Sequence, residues 1–332
     1  NKPDNLPKGF EKGQVFTPRF LASWAASLLE QHLGAPWSGN LLDPACGDGE
    51  LLDAAIEFLP NAKLFGVEID RKASKAAESR LGRAAVIKTG DMLTMEPLAA
   101  SRGVPKADAV ISNPPWGADL LHSSRYLRSL GFTLAKGQFD SWSLFVEKSM
   151  KHLNTEGLAV FILPDAIFSS EHEPTRSLIT QNYTLELIAR LGEGIFKDVY
   201  RGTMLLLVRQ SKPKPDHVVE IFRLSKTHRT LVLSGDLDLK DARNLSSHSV
   251  SQSRFLSDAK CRWDIDARSS DQNLLDRLES SGGLWTDRVV SGRGVELSKR
   301  GLVKACGSCG YTIPSPTRPR DVTCQGCGLI TH

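Results

Sequence analysis

The sequence predicts a doubly wound α/β fold, in which helices cover a mostly parallel sheet. Seven apolar runs of strand length recur between residues 40 and 210, and helical segments separate most of them. The first five runs are almost continuously hydrophobic, as parallel strands buried on both faces are. A glycine-containing turn, DPACGDG, joins the first run to a helix. Strands that alternate with helices in this way are typical of a parallel sheet.

A helix is predicted before the first strand. Thr17 is a suitable N-cap, Pro18 fits the first helical turn, and Gly34 ends the apolar face that begins at Phe20. The last two strands are joined by a short connection, which suits an antiparallel pair at an edge of the sheet. The seven strands are expected at residues 40–47, 63–70, 84–91, 107–114, 157–164, 185–192 and 202–210.

The composition indicates a globular, cytoplasmic protein. The chain has 332 residues, 40% of them hydrophobic, which is enough for a sizeable core. Its longest apolar runs have the length of a strand, and no targeting or membrane-spanning segment is visible. The net charge is +4, and residues 212–332 carry 19 Lys and Arg against 14 Asp and Glu. Such an excess favours a polyanionic partner, although an ordinary solvated surface can have the same composition.

The character of the sequence changes after residue 211. SKPKPD has the composition of a linker, SSHSVSQSRFLSD that of a loop, and SGRGVELSKRG, at 291–301, that of a loop that lies against phosphates. Two CxxC pairs follow near the C-terminus. We therefore divide the chain into residues 1–211, 212–292 and 293–332.

Polar side chains end four of the predicted strands. Asp43, Glu68, Asp91 and Asn113 stand at or near the ends of the first four runs. Because the carboxyl ends of parallel strands meet at one edge of a sheet, these side chains are expected to share a ligand site. The turn at 43–49 lacks the Lys-Ser/Thr of a phosphate-binding loop, and its carboxylates would repel a pyrophosphate. A ligand with a positive charge suits this edge better.

The fourth strand continues into an asparagine, two prolines and a tryptophan. The amide oxygen of Asn113 and the carbonyl of Pro114 are acceptors close together in the chain, and Trp116 offers a flat apolar face. Two converging acceptors suit an amino group that gives both hydrogens to them. The motif therefore predicts a pocket for a planar heterocycle with an exocyclic amino group.

In their order along residues 10–210, these motifs resemble those of the S-adenosylmethionine-dependent adenine-N6 DNA methyltransferases of the gamma, or amino-type, class. The resemblance implies a seven-stranded Rossmann-like methyltransferase sheet, with residues 1–211 as the catalytic domain and 212–292 as all or part of the target-recognition region. The matching segments are GQVFTP (13–18), DPACGDG (43–49), VEID (67–70), GDML (90–93), NPPW (113–116), FDSWSLFVEKSMKHL (139–153) with GLAVFILP (157–164), and GEGIFKDVYRGTMLLLV (192–208).

The resemblance also implies the residues that hold the cofactor, S-adenosylmethionine. Glu68 would bind its ribose, Ile69 would pack on its adenine ring, and Asp91 would accept a hydrogen bond from the amino group of that ring. The turn after the first strand would hold the methionine part, and a segment near the N-terminus would close over it. The implied cofactor-binding residues are Gln14, Phe16, Thr17, Asp43, Pro44, Ala45, Cys46, Gly47, Glu68, Ile69, Asp91 and Asn113.

A second implied set holds the target adenine. Asn113 and the Pro114 carbonyl would bind its amino group, and Trp116 and Phe196 would stack on its two faces. The family more often has Tyr or Phe at the position of Trp116, which implies a slightly remodelled pocket. The implied catalytic residues are Asn113, Pro114, Pro115, Trp116 and Phe196.

The implied reaction is methyl transfer to N6 of adenine in double-stranded DNA, in or related to a restriction-modification or phage-defence system. The lone pair of N6 is conjugated into the ring, so acceptors outside the ring plane would localise it in the transition state. The base must leave the helix, which costs a few kcal/mol of unstacking that aromatic contacts partly return. A further domain or subunit could complete target recognition, and no membrane partner is expected.

Other functions are compatible with parts of this pattern. A methyltransferase that acts on RNA adenine or guanine, or on a protein glutamine amide, faces the same chemical problem at an NH2 group. The GQVFTP segment and the basic C-terminal module disfavour both. A catalytically silent nucleic-acid-binding subunit is disfavoured by Glu68, Asp91 and Asn113, which are all present.

The cysteines fall into two groups. Cys46 and Cys261 stand alone, and no nucleophilic role is expected for Cys46 because transfer to an exocyclic nitrogen needs no covalent enzyme intermediate. The two CxxC pairs are separated by 14 residues, and a glycine follows each pair. This spacing favours a tetrahedral, structural Zn²⁺ over disulfides, and it predicts a zinc ribbon at 293–332. The four ligands would be Cys306, Cys309, Cys324 and Cys327.

Overall fold

Two units make up the chain, residues 1–272 and residues 273–332. The computed structural model describes residues 16–97, 104–137, 139–197, 201–271, 274, 277, 278, 280, 303–314, 322–324 and 326–331. Within these ranges, no helix is both long enough and apolar enough to cross a bilayer.

A mixed sheet organises the first unit. Its strands are β1 (Asn40–Asp43), β2 (Lys63–Glu68), β3 (Ala85–Thr89), β4 (Ala107–Ser112), β5 (Leu153–Pro164), β6 (Thr184–Gly192), β7 (Thr203–Arg209), β8 (Val218–Arg223) and β9 (His248–Ser251). They lie in the order β3-β2-β1-β4-β5-β7-β6-β8-β9. β7 and β9 run against the other seven strands. The strand order reverses between β1 and β4, and ligands bind at such a switch point in open α/β sheets.

The doubly wound α/β fold and all seven predicted strands are confirmed, but the sheet is larger than the predicted seven strands. β8 and β9, from residues after 211, extend it to nine. β6 and β7 pair antiparallel as predicted, but the edge position was wrong, because β8 pairs with β6 on its other side. β3 also differs from its prediction as a fully buried strand. It lies at the edge, where Val86 is 48% exposed.

Helices cover the sheet. α1 begins at Arg19 with Pro18 as its N-cap, so the predicted cap at Thr17 was wrong, and the Thr17 hydroxyl instead accepts a hydrogen bond from Asn113. Gly34 ends α1 as predicted, with φ +75°. The helices are α1 (Arg19–Leu33), α2 (Glu50–Phe58), α3 (Arg71–Leu81), α4 (Ser124–Ser129), α5 (Ser141–His152), α6 (Glu173–Asn182), α7 (Lys226–Ser234), α8 (Leu239–Ser246) and α9 (Gln252–Ser257), with 3-10 turns at Gly82–Ala84, Met92–Thr94, Asp165–Phe168, Ser170–His172 and Ser269–Asp271.

Residues after 211 are bonded into this unit. The fully buried Gln252 amide accepts from the Leu185 N–H at 2.9 Å and donates to the carbonyls of Thr180 and Tyr183 at 3.0 and 2.8 Å. A buried amide without these partners would cost about 1–3 kcal/mol for each unmade bond. Part of 212–292 therefore continues the sheet of the first unit, and the role of that region in target recognition stays a prediction.

The segment between β4 and α5 is held by a buried carboxylate. Glu147 is 0% exposed, and its oxygens accept from the Thr133 N–H at 2.7 Å, the Thr133 hydroxyl at 2.9 Å and the Leu134 N–H at 3.0 Å. A small apolar cluster lies beneath the same segment and includes Leu127, Phe132 and Leu144. The segment is thereby packed against α5, where it forms one side of the site described below.

The second unit contains two hairpins. β10 (Val303–Ala305) pairs with β11 (Thr312–Pro314), and β12 (Val322–Thr323) pairs with β13 (Ile330–Thr331). Each hairpin places one CxxC pair at or beside its turn. The loop predicted at 291–301 lies outside the described residues.

Candidate functional site

A cavity opens at the carboxyl edge of the sheet, next to the switch point between β1 and β4. Its volume is about 750 Å³, including its open mouth, which is within the range of small-molecule sites. Of the twelve predicted cofactor residues, Gln14 lies outside the described residues, and the other eleven all line this cavity. Its lining residues are Phe16, Thr17, Asp43, Pro44, Ala45, Cys46, Gly47, Asp48, Glu50, Leu51, Glu68, Ile69, Gly90, Asp91, Asn113, Pro115 and Phe145.

The glycine turn and the Glu68 carboxylate form one wall of the cavity. The Gly47 N–H donates to Glu68 Oε2 at 2.8 Å, and the Asp70 N–H donates to Oε1 at 2.7 Å. The chain reaches this geometry because Gly47 and Gly49 adopt φ of +54° and +89°, a region that disfavours residues with a Cβ. The Glu68 side chain is therefore held by backbone groups of two segments before any ligand binds.

Asp43 gives the floor of the cavity an unusual electrostatic character. Its side chain is 1% exposed, and its Oδ1 accepts a hydrogen bond from the Ala45 N–H at 3.1 Å. Burial, with a smaller contribution from the nearby charge of Glu68, raises the pKa of Asp43 to about 8. A cation that enters the cavity would stabilise the ionised carboxylate, so the site favours a positively charged ligand.

Cys46 lies in the same turn and is 5% exposed. Burial raises the pKa of its thiol far above the ordinary range, and the charges of Asp43 and Glu68 act in the same direction. The thiolate is the nucleophilic form of cysteine, and this environment suppresses it. The geometry is in keeping with the expectation that Cys46 is not a nucleophile.

Asn113 and Pro115, which follow β4, line the same cavity, whereas Pro114 between them is buried and does not line it. Asn113 Nδ2 donates to Thr17 Oγ1 at 3.1 Å, which fixes the orientation of the amide. The Ser141 hydroxyl donates to the Pro115 carbonyl at 2.7 Å, and the Gly117 N–H donates to Asp140 Oδ1 at 2.8 Å. The turn of residues 113–117 is thus bonded to the start of α5 on one side and to the segment before α1 on the other.

Trp116 and Phe196 contact each other, whereas the resemblance implied that they face each other across a base. Both are buried, at 7% and 3% exposure, and their rings contact each other edge to face, with centroids 5.3 Å apart and planes at 77°. Neither ring lines the cavity. The arrangement predicted from the resemblance, with a base between two facing rings, is therefore not present in this structure. Large apolar rings gain about 0.5–1.5 kcal/mol from such contacts beyond their burial, so separating them has a cost.

Several residues of the site are not in the predicted sets, and two of them, Phe145 and His122, come from segments far along the chain from the glycine turn. Phe145, on α5, lines the main cavity and a neighbouring cavity of about 390 Å³. His122 Nε2 lies 2.9 Å from Asp91 Oδ2, while Asp91 Oδ1 accepts from the Leu93 N–H at 2.9 Å. Phe145 lies within FDSWSLFVEKSMKHL, a segment that matches the family, but the resemblance gave this residue no role. His122 stands in no local pattern that could have identified it.

The second unit gathers its four cysteines at one point. Their sulfur atoms all lie within 4.8 Å of one another, with Cys306 Sγ 3.7 Å from Cys327 Sγ and Cys309 Sγ 3.6 Å from Cys324 Sγ. Four sulfurs at ~2.3 Å from a tetrahedral Zn²⁺ would be ~3.8 Å apart, whereas a disulfide bond is ~2.05 Å long. The observed spacing fits the metal geometry and is too long for disulfides.

The two CxxC turns have matching backbone geometry. The N–H of Cys306 donates to the Tyr311 carbonyl at 2.8 Å, and the N–H of Cys324 donates to the Leu329 carbonyl at 2.8 Å. Gly310 and Gly328, which follow the second cysteine of each pair, have φ of +72° and +73°. These glycines allow each turn to wrap around its sulfurs, as predicted from the sequence. Four thiolate ligands leave no open position at such a site.

Comparison with known proteins relates the chain to DNA methylases. Residues 6–241 match the family described as N-6 DNA Methylase. The chain is 31% identical over 212 residues to the type II methyltransferase M.VspI of Vibrio sp. (strain 343), covering 62% of this chain and 50% of that protein. It is 28% identical over 184 residues to the modification methylase CviBIII of Paramecium bursaria Chlorella virus NC1A, covering 55% of this chain and 45% of that protein.

A solved structure shares the fold. The methyltransferase subunit of a type I restriction-modification system from Streptococcus thermophilus superposes with a TM-score of 0.59 at 17% identity, covering 76% of this chain and 58% of that chain. The chain thus spans about half the length of the curated relatives described above.

Proposed function

Because the chain belongs to the N-6 DNA methylase family, we propose that it transfers a methyl group from S-adenosylmethionine to N6 of adenine in double-stranded DNA. The observation that carries the proposal is the position of Asn113. It lies on the wall of one cavity together with Asp43, Glu68 and Asp91, the carboxylates at the ends of or just after the first three strands. An amide at that place can hold an amino group beside a cationic ligand.

The residues present suit S-adenosylmethionine, which supplies an electrophilic methyl group when bound. Asp43 would face the charged methionine part. The positive charge of this group would lower the pKa of Asp43 and so favour its ionised form. Glu68 is fixed by two backbone N–H groups and can accept from ribose hydroxyls. Ile69 and Phe145 offer apolar surfaces for the adenine ring, and Asp91 supplies an acceptor for its amino group.

On the other side of Asn113, the chain would bind the target adenine. The Asn113 amide and the Pro114 carbonyl accept from the amino group of the base, and this interaction strengthens as the nitrogen becomes tetrahedral. Catalysis then consists mainly of holding the nitrogen in line with the methyl group. Trp116 and Phe196 would separate from each other so that the base can stack on them, at a cost offset by stacking energies of about 1–3 kcal/mol per base.

The decisive experiment uses radiolabelled S-adenosylmethionine, duplex DNA and the Asn113→Ala variant. We expect the wild-type chain to label adenine at N6, the variant to lose at least about 100-fold in rate, and the cofactor dissociation constant to change by less than about three-fold. Label on RNA or on protein glutamine, and none on DNA, would assign the chain to one of the alternative methyltransferase classes. Cofactor binding without transfer to any acceptor would indicate a silent subunit.

The biological setting follows from the relatives as a proposal. Proteins named as type II methyltransferases and as a type I methylase subunit are among them, so we place this chain in a restriction-modification or phage-defence system. Residues 212–292 would form all or part of the target-recognition region. This chain matches only about half the length of these relatives. We therefore propose that a further domain or subunit completes target recognition.

We also propose a structural Zn²⁺ at the four cysteines of the second unit. The test is metal analysis of the purified chain and of the Cys324→Ser variant, with Cys261→Ser as the control because Cys261 stands outside the cluster. We expect about one Zn²⁺ per wild-type or control chain and a loss of metal from Cys324→Ser. Equal zinc in all three proteins, or none in the wild type, would refute the site.

A further inference from the structure

We propose that Arg201 binds a DNA phosphate next to the extruded adenine and so positions the target strand at the mouth of the base pocket. This inference rests on the proposed function, because it requires that the chain act on DNA. It assigns a partner to a side chain to which the resemblance gives no role and that lines neither cavity.

The position of Arg201 is the first argument. Its guanidinium lies over Gly117, with Nη1 3.7 Å and Nη2 4.0 Å from the point where a Cβ on Gly117 would stand. Gly117 directly follows Trp116 in the turn that begins at Asn113. The cation therefore lies at the rim of the region that would receive the base.

The chain directly after Arg201 is bonded into the sheet. The Asp165 N–H donates to the Gly202 carbonyl at 2.8 Å, and Thr203 pairs with Pro164 at the start of β7. The Asp165 carboxylate occupies the space that a Cβ on Gly202 would need. A side chain held at the end of a sheet in this way is a suitable anchor for a substrate.

The charge of Arg201 is available to a ligand. The Asp165 carboxylate, which contacts Gly202 next to Arg201, forms its ion pair with Arg190 at 3.1 Å. Asp140 Oδ1 accepts a hydrogen bond from the Gly117 N–H at 2.8 Å. Arg201 is exposed, and among the described residues it forms no ion pair.

DNA geometry supplies the matching group. When a base turns out of a duplex into a pocket, the phosphates on either side of its sugar must pass the mouth of that pocket. A guanidinium can hold a phosphate through two parallel hydrogen bonds, which fixes position without reading sequence. Arg201 would thus set the depth at which the adenine amino group meets Asn113.

The test compares Arg201→Ala with Arg201→Lys and with Arg83→Ala. Arg83 is also exposed and forms no ion pair among the described residues, but it lies before β3, at the opposite edge of the sheet. The DNA is a duplex with the sequence around an adenine that the chain methylates in cells. Its affinity for each protein is measured from about 50 to 200 mM salt. We expect Arg201→Ala to bind roughly ten-fold more weakly and to reduce the salt slope by about one phosphate contact. Arg201→Lys should keep the slope, and Arg83→Ala should match the wild type.

A second measurement locates the phosphate. Single phosphates beside the target adenine are replaced by uncharged methylphosphonates, and binding is measured for wild type and Arg201→Ala. One replacement should weaken the wild type but leave Arg201→Ala unchanged, because the two changes remove the same contact. Equal penalties in both proteins at every phosphate would refute the inference.

The outcomes separate the inference from the proposed function. Cofactor affinity reports folding of each variant, since Arg201 lies outside the cofactor cavity. If the wild type methylates DNA and Arg201→Ala behaves as Arg83→Ala does, only the phosphate contact is refuted. If the wild type neither binds nor labels DNA, the proposed function fails and the inference fails with it.

Discussion

The two sides of Asn113 differ in how completely they are formed. On the cofactor side, Glu68 is held by two backbone N–H groups and Asp91 by a backbone N–H and His122, around an open cavity. On the base side, Trp116 and Phe196 bury each other, and no open space lies between them.

This difference follows from what supports each side. The cofactor side consists of side chains at or just beyond strand ends, and backbone hydrogen bonds fix them at little cost in side-chain entropy. The base side consists of large apolar rings on two loops, and such rings bury each other wherever they can. We infer that cofactor binding is largely pre-organised and that base binding requires rearrangement, so each side should respond differently to mutation.

The largest expected effect tests the pre-organised side. Glu68→Ala removes an acceptor from two backbone donors as well as from a ligand, and unsatisfied donors cost about 1–3 kcal/mol each. We expect the dissociation constant of S-adenosylmethionine to rise by at least about 100-fold, measured by isothermal titration calorimetry. Glu57→Ala is the control, because Glu57 is an exposed carboxylate on α2 outside the cavity.

Misfolding of Glu68→Ala would also abolish cofactor binding, so the Glu68→Gln variant is measured beside it. Its amide keeps one acceptor oxygen, and its affinity should lie between those of wild type and Glu68→Ala. Thermal unfolding of all three proteins shows whether the fold is kept. An unchanged cofactor affinity in well-folded Glu68→Ala would mean that this wall of the cavity is not a binding wall.

A smaller effect is expected on the base side, from Trp116→Leu compared with Trp116→Phe. Leucine keeps apolar bulk but cannot stack, whereas phenylalanine keeps an aromatic face. We expect kcat/KM for DNA to fall about ten-fold in Trp116→Leu and less than about three-fold in Trp116→Phe, with cofactor affinity unchanged in both. The fluorescence of 2-aminopurine at the target position reports base extrusion directly. Wild-type extrusion and rate in Trp116→Leu would show that Trp116 only packs in the core.

Within a single pH unit, a still smaller effect is expected from the dependence of cofactor affinity on pH. The pKa of Asp43 is raised to about 8, and a bound cation would lower it, so binding releases a proton below that pH. Affinity for the cofactor should therefore rise by at most ten-fold per pH unit as the pH increases from about 6 to about 8. Above that pH the affinity should stay constant. Calorimetry in buffers of different ionisation enthalpy counts the protons released.

Asp43→Asn is the matched variant for this measurement. It cannot ionise, so only the titration of the cofactor itself should remain in its pH profile. In the unliganded wild type, the folded state binds the proton more tightly than the unfolded state does. Its free energy of unfolding should fall as pH rises from about 4 to about 8, and less so in Asp43→Asn. Identical profiles for both proteins would contradict the assignment of the raised pKa.

Sequence patterns were sufficient where chain direction alone determines position. Parallel strands bring their carboxyl ends to one edge, so Asp43, Glu68, Asp91 and Asn113 could be assigned to one site from their places in the sequence. The glycines after each CxxC pair could be assigned in the same way, because the turn they permit is local.

The rest depended on contacts between distant segments. Phe145 reaches the cavity because α5 packs beside it, and His122 reaches Asp91 because Glu147 and a small apolar cluster hold the segment between β4 and α5. Thr17 fits a helix cap by its sequence, but the fold uses its hydroxyl to hold Asn113. β8 and β9 carry weaker strand patterns, and their pairing with β6 and with each other depends on the whole sheet.

The reversed direction of β7 has a consequence for how such proteins can diverge. Because β6 and β7 are neighbouring antiparallel strands, Gly192 ends β6 at the same edge of the sheet at which Thr203 begins β7. Insertions in a hairpin loop of this kind add little closure entropy and shift no strand. Selection, or an engineer, could therefore change the length of the connection between β6 and β7 while leaving the strands that end at Asp43 and Glu68 in place.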